Sequence, residues 1–256
     1  MRQEAWNSLA APIGSFDRVV VLDQTPSTQG DARVLADGSP GLVVVAKRQV
    51  SGRGRQGRTW DDGGGASLSM SLVVRSGLPA AGLSLAVGLG VIEGCEALGA
   101  AGLGLKWPND VVERTEGEPG RKLAGVLIES FGGLAVVGVG VNVYERPREW
   151  EGGLEKTAVS LEQFGVRADR PSAARAVLEG ISRWLDAQPR AIGDRWLELG
   201  TLRGERCVFR VDGRQVAGRV VGLDRQWRLE LETDGGGRVR IDAAHAHLEE
   251  PRPVGS

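Results

Sequence analysis

The chain has 256 residues, 41% hydrophobic and 25% charged, enough for one large domain or for one and a smaller second, with a sizeable core. Its formal net charge of −1 excludes a protein that binds polyanions with its whole surface, so an anion site must be a local concentration of arginine. Cys95 and Cys207, the only cysteines, lie too far apart for a disulfide framework or a thiolate metal site, and His245 and His247 form no metal-binding motif.

Ser15–Thr25 (SFDRVVVLDQT) reads as a strand running into a turn at Pro26. STQGDARVLADG then predicts a short helix, capped by Ser27 or Thr28 and stopped by Gly38. GLVVVAKRQ is a second, β-branched strand. After a glycine- and arginine-rich segment, Ser67–Arg75 alternates Leu68, Met70, Leu72 and Val74 against serines, the pattern of a half-buried strand. Leu78–Gly99 is apolar nearly all round and rich in small residues, which predicts a buried helix. LGLKWPNDVVE and RKLAGVLIESFGGLAVVGVGVNV supply three or four further strands. Between them RTEGEPG (Arg114–Gly120) reads as a solvated surface loop. SAARAVLEGISRWLDA places Ala174, Val177, Leu178, Ile181, Trp184 and Leu185 at helical spacing, and a second helix is expected over Ile192–Leu199.

The character changes after Gly200. From there short strands are split by Asp-Gly and Gly-rich turns, VDGR being a strong hairpin signal. The reading is a domain over residues 1–200 and a small all-β, SH3-sized barrel over 201–256. With no secretory pattern and no run of ~18 apolar residues read in the sequence, a cytoplasmic protein without a membrane partner is expected.

Several segments carry chemistry. In SGRGRQGRTW (Ser51–Trp60), Gly52, Gly54 and Gly57 allow close backbone approach to a ligand, and Arg53, Arg55 and Arg58 supply forks for phosphate or carboxylate. P-loop spacing is absent. A solvated linker or an RNA-binding arm remains open on these residues, and chain entropy argues for a segment that is mobile until an anion orders it. In LKWPNDVV, the turn holds Lys106, Asn109 and Asp110 at a strand end, or is a plain hairpin with a structural tryptophan. The chain has four lysines, so Lys122 at the head of an apolar strand asks for a reason. Simple alternation sets Lys122 with Ala124, Val126 and Ile128, opposite Leu123, Gly125, Leu127 and Glu129. In VGVGVNV, Gly138 and Gly140 clear one strand face for a ligand or a packed backbone.

The succession of ST, GRGRQGRTW, KWPNDV, RKLAGVLIE and GVGVNV, followed by helices and a β module, closely resembles the biotin protein ligase family over essentially the whole chain. The resemblance implies an α+β fold: a class II synthetase-like catalytic domain, a mixed sheet flanked by helices, and a C-terminal SH3-like barrel. It implies a ligase that uses ATP and biotin as substrates, with Mg2+ expected, to form biotinyl-5'-AMP. The biotinyl group then passes to a lysine of a biotin carboxyl carrier domain.

Residue by residue, the resemblance implies biotin contacts from Ser27, Thr28 and Gln29, the last standing where the family usually has asparagine. Gln49 matches the reader of the ureido ring, and Gly52, Arg53 and Gly54 match contacts near the biotin tail. Arg55 matches the arginine on the acyl-phosphate, with Gln56 in place of a frequent arginine. Lys122 matches the lysine that bridges the biotin carboxylate and the α-phosphate, so Lys122 and Arg55 are the expected catalytic residues. Gly125, Leu127, Gly138 and Gly140 match the floor of the biotin slot. Arg58, Trp60, Asn109 and Asn142, with Arg55 and Lys122, are the expected ATP side. No metal ligand is assigned. Some members of the family carry an N-terminal DNA reader; about 15 residues precede the first strand here, so no specific DNA binding is expected. A homodimer is compatible with the family. Two alternatives stay open: a lipoate–protein ligase or related acyl transferase, and, from another class, a nucleic-acid-binding module using the arginine segment and the β module.

Overall fold

Two β-branched runs open the fold, β1 (Arg18–Leu22) and β2 (Leu42–Ala46), which pair in parallel from Arg18↔Leu42 to Leu22↔Ala46. Parallel neighbours need a crossover, and α1 (Thr28–Leu35) supplies it. The computed structural model describes residues 5–115, 120–145 and 156–249; most of the Arg114–Gly120 loop lies outside them. The glycine-arginine segment folds as a miniature hairpin, β3 (Gly52–Arg53) against β4 (Thr59–Trp60). Five more strands follow: β5 (Ser67–Val74), β6 (Leu103–Lys106), β7 (Asp110–Glu113), β8 (Lys122–Phe131) and β9 (Leu134–Asn142). The main sheet has seven strands in the order β1-β2-β5-β9-β8-β7-β6, antiparallel except for the first pair.

α2 (Ala80–Ala97) covers one face of this sheet and packs on α3 (Arg170–Leu185), with α4 (Pro189–Leu199) beside α2. The small residues foreseen in α2 permit a close helix approach. A Cβ on Gly90 would lie 2.4 Å from the Ile181 Cα, and one on Gly94 2.6 Å from the Ala176 carbonyl. Length and composition alone would let α2 cross a membrane, but 72% of it is buried inside the protein. Its core draws on Leu68, Met70 and Leu72 of β5 and Val137, Val139 and Val141 of β9. Along the opposite face, a smaller cluster of Ala32, Leu42, Val44, Val73, Leu134 and Val136 seats α1. The rest of that face belongs to the site.

After α4 come β10 (Arg206–Val211), β11 (Arg214–Leu223), β12 (Leu229–Glu232), β13 (Arg238–Ile241) and β14 (Ala246–Glu249). They form a five-stranded antiparallel sheet, β13-β12-β11-β10-β14, consistent with an SH3-like module. The VDGR turn has both central residues at positive φ, Asp212 at 47° and Gly213 at 82°, as a tight two-residue hairpin requires. Trp107 ties this sheet to the larger one. Its ring meets Phe209 edge-on at 6.2 Å, and its indole N–H donates to the Trp227 carbonyl at 3.3 Å.

Two expectations are corrected here. β5 is buried on both faces, not half-buried, because it runs through the middle of the sheet and Ser69 and Ser71 look into a covered slot. The glycine-arginine segment is a defined hairpin, closed by Gly54 N–H to the Arg58 carbonyl at 2.7 Å, with Gln56 at φ 57° in its tip.

Candidate functional site

On the face away from α2, a cavity of about 320 Å³ lies between the main sheet, the β3–β4 hairpin and β14. Its deep end is polar and already knitted together. Gln49 Oε1 accepts from the Thr28 backbone N–H at 2.9 Å and lies 3.1 Å from the Thr28 hydroxyl. That hydroxyl is 2.8 Å from Ser71 Oγ, which donates to Gln29 Oε1 at 2.9 Å. Gln29 Nε2 donates to the Val136 carbonyl at 3.2 Å. Asp62 fixes the geometry from behind: its carboxylate accepts from the Gln49 N–H at 2.7 Å and from the Gly64 N–H at 2.9 Å. With its carbonyl engaged by Thr28, Gln49 offers a ligand its amide NH2 end.

The floor is made by glycines in register across β5, β9 and β8: Ser69↔Gly140↔Gly125 and Ser71↔Gly138↔Leu127. A Cβ on Gly140 would lie 2.3 Å from the Trp60 ring, and one on Gly138 2.9 Å from Gln29 Oε1. Only bare backbone lets these side chains lie flat on the sheet. Trp60 therefore seals the slot from the hairpin side.

Lys122 reaches this floor through a bulge. Val111 pairs with Ala124 but Val112 with Lys122, so Leu123 is the extra residue on β8. A bulge re-aims the side chain beside it. Simple alternation put Lys122 with Ala124 and Val126; instead its ammonium sits where a Gly125 Cβ would meet it at 2.9 Å, on the site face. There it pairs with Asp110 Oδ1 at 2.7 Å and lies 5.6 Å from the centre of the Trp60 ring.

The mouth is cationic. Arg53, Arg55, Arg58, Lys106 and Lys122 line the cavity, with Asp110 as its sole carboxylate among the described residues. Arg53 is drawn back to Glu129 at 3.6 Å, a residue that Arg33 also holds at 2.9 Å. Arg55 donates to Asn109 Oδ1 at 2.9 Å and to the Ala243 carbonyl, which binds the hairpin to the C-terminal sheet. Burial pushes the Arg55 guanidinium below its ordinary pKa; Asp110 opposes this and Arg58 adds to it. It stays charged at neutral pH, because the ordinary value is so high.

Most of the expected residues meet around this one cavity: Ser27, Thr28, Gln29, Gln49, Arg53, Gly54, Arg55, Arg58, Trp60, Asn109, Lys122, Gly125, Leu127, Gly138 and Gly140. Two do not line it. Gly52 lies behind the hairpin, where a Cβ would strike the Trp60 carbonyl at 2.3 Å and Gln49 Nε2 at 2.5 Å. Asn142, expected on the ATP side, is 5% exposed, and its side chain is spent inside the fold. Its amide donates to the Lys122 and Val159 carbonyls at 3.2 and 3.1 Å, and its Oδ1 accepts from Ser67. It braces the Lys122 strand. Sequence reasoning left unassigned Asp62, Ser69, Ser71 and the β14 residues Ala246–Leu248 that line the mouth. The serines had a signal, the polar half of the β5 alternation, which equally describes a solvent-facing strand.

As for metal, no group of three His, Cys, Asp or Glu suited to an ion exists among the described residues. Asp110 is engaged by Lys122 and by the Asn109 amide at 3.0 Å. This donor set builds no resident metal cage; it suits an ion that arrives on substrate phosphates, as Mg2+ commonly does.

Comparison with known proteins places the same residues in context. The model of the Biotin/lipoate A/B protein ligase family matches residues 21–143, which span every strand lining the slot. The "Biotin--[acetyl-CoA-carboxylase] ligase" of Mycobacterium tuberculosis is 36% identical over 239 residues, covering 88% of this chain and 86% of that protein. The "Bifunctional ligase/repressor BirA" of Escherichia coli is 31% identical, covering 90% of this chain and 75% of that protein. A solved structure of the biotin protein ligase of Aquifex aeolicus, in complex with biotin and ATP, superimposes with a TM-score of 0.79 at 28% identity, covering 92% of this chain and all of the other.

Proposed function

The chain belongs to the biotin protein ligase family, and we propose that it activates biotin with ATP and transfers it to a lysine of a biotin carboxyl carrier domain. One observation carries the reading. The bulge at Leu123 sets the Lys122 ammonium where the neutral polar slot meets the arginine mouth. A carboxylate lying in the slot and a nucleotide phosphate lying in the mouth meet at that point.

The chemistry follows from charge. A biotin carboxylate oxygen attacks the α-phosphorus of ATP, the bond to the pyrophosphate oxygen breaks, and a mixed anhydride results. Two anions must be brought together and the charge growing at phosphorus stabilised. Lys122 serves as the point charge between them, and Arg55 and Arg58 as forks on phosphate oxygens. MgATP is the substrate form, the ion bringing further positive charge to the phosphates. In the second step the carrier lysine, as free amine, attacks the acyl carbon and AMP departs with the bonding pair. Trp60, lying over Gly140, shields the anhydride from water.

The deep end favours biotin over lipoate. Its Thr28, Gln29, Gln49 and Ser71 groups give that end a polar lining, which suits a cyclic urea better than an apolar dithiolane ring. The same reading takes the acceptor to be the carrier domain of acetyl-CoA carboxylase or a related carboxylase. It takes residues 1–200 and 201–256 as catalytic and SH3-like units, expects no sequence-specific DNA binding, and allows a homodimer. Incubating the protein with biotin, ATP, Mg2+ and a carrier domain should add one biotinyl mass to the carrier and release pyrophosphate only when biotin is present. Equal turnover with lipoate and none with biotin would overturn the proposal.

A further inference from the structure

Ser69 is the third residue of β5, paired with Ala46 on one side and Gly140 on the other, 3% exposed and facing the slot. Its hydroxyl is buried and makes no hydrogen bond. That is unusual, because buried hydroxyls are nearly always paired. The neighbouring polar groups cannot come to its aid. Between them the Thr28 and Ser71 hydroxyls have two protons for three short contacts, to Gln49, to each other and to Gln29. Both hydroxyl protons of that network are spent inward. A second unpartnered group, the Trp60 indole N–H, belongs to the ring that lies over Gly140, directly across from Ser69.

We infer that Ser69 is a biotin-binding and specificity-determining residue, its hydroxyl held free in the protein in order to bond the ureido edge of the bicyclic head group. The inference rests on the biotin reading above. Geometry supports it: Ser69 lies one same-face step, about 6.6 Å, from Ser71 in the direction of Lys122. A head group seated against Thr28 and Ser71 passes it on the way to the reactive end. A hydroxyl both donates and accepts, so it serves a ureido N–H or the ureido carbonyl.

The test is Ser69→Ala, read three ways. Without ligand, the variant should melt at the wild-type temperature or above, since it loses an unpaired polar atom and no bond. With biotin, its KM should rise about tenfold, the scale of one lost hydrogen bond. Its kcat at saturation and its KM for ATP should stay at wild-type values. Ser71→Ala is the contrast: it breaks internal bonds and should lower the melting temperature. A wild-type biotin KM for Ser69→Ala would overturn the inference, and so would a lowered melting temperature without ligand, which would reveal a structural bond. If the wild-type protein itself fails to bind biotin, it is the preceding functional reading that falls.

Discussion

The two ends of the cavity are built on opposite principles. At the deep end, Thr28, Gln29, Gln49 and Ser71 are buried, neutral and bonded to one another from α1, β5 and the segment after β2. At the mouth, four cations besides Lys122 face one carboxylate among the described residues, carried by the short β3–β4 hairpin and a strand end. Rigid neutral groups discriminate by the cost of leaving a buried partner unpaired. Clustered cations attract any anion, and salt weakens them. The difference teaches that selectivity and charge stabilisation are held by separate parts of the molecule, with Lys122 at their junction.

The largest break in that comparison is expected at the junction itself. Lys122→Ala should slow single-turnover adenylate formation at least ~100-fold, about 3 kcal/mol of transition-state stabilisation. Its thermal melt should change little, because the side chain is a third exposed. Unchanged adenylate formation would remove Lys122 from the mechanism. Gly140→Val comes next. Its Cβ must displace the Trp60 ring, and overpacking of this kind costs about 1–3 kcal/mol. Biotin affinity measured by calorimetry should accordingly fall ~10–100-fold. Retained affinity would mean that Trp60 need not lie on the floor.

Arg55→Ala tests whether the hairpin acts as a lid tied to the C-terminal sheet. Loss of the bonds to Asn109 and Ala243 should speed tryptic cleavage after Arg53 or Arg58 by at least ~10-fold, since even one charge-assisted hydrogen bond is worth about that much. Biotin with ATP should protect these bonds in the wild type, and the variant should leak adenylate that labels lysines at random. Equal cleavage in all states would show that the hairpin does not close on ligand. The smallest effect sharpens the contrast between the ends. Raising the salt from ~0.1 M to ~1 M shortens the screening length from ~10 Å to ~3 Å. The KM for ATP should rise several-fold while biotin affinity holds steady, and a parallel change in both would erase the distinction.

Helices and strands were largely legible in the chain because their periodicities are local: valines in β2 and β9, helical spacing in α3, an Asp-Gly turn between β10 and β11. The motifs also announced the family and most of the residues that ring the cavity. What stayed hidden was relational. The SLSMSL alternation of β5 says that one face is polar, and only its central place between β2 and β9 turns that face into a buried slot. The asparagine of VGVGVNV looks like a ligand group, until the fold surrounds it with the Lys122 and Val159 carbonyls and the Ser67 hydroxyl.

By itself the sequence determined the order of elements, the cluster of arginines in a near-neutral chain, and the bare glycine positions that a floor requires. Tertiary structure decided where those pieces act. Strand alternation points Lys122 away from Gly125, and the extra residue in β8 against β7 turns it back. A bulge is set by how two strands pair, so no pattern within either strand records it. For the same reason the glycine-arginine segment has no local signal for being a hairpin. Two ladder pairs, Trp60 lying on Gly140 and Arg55 reaching Ala243 give it a shape that its own composition argues against.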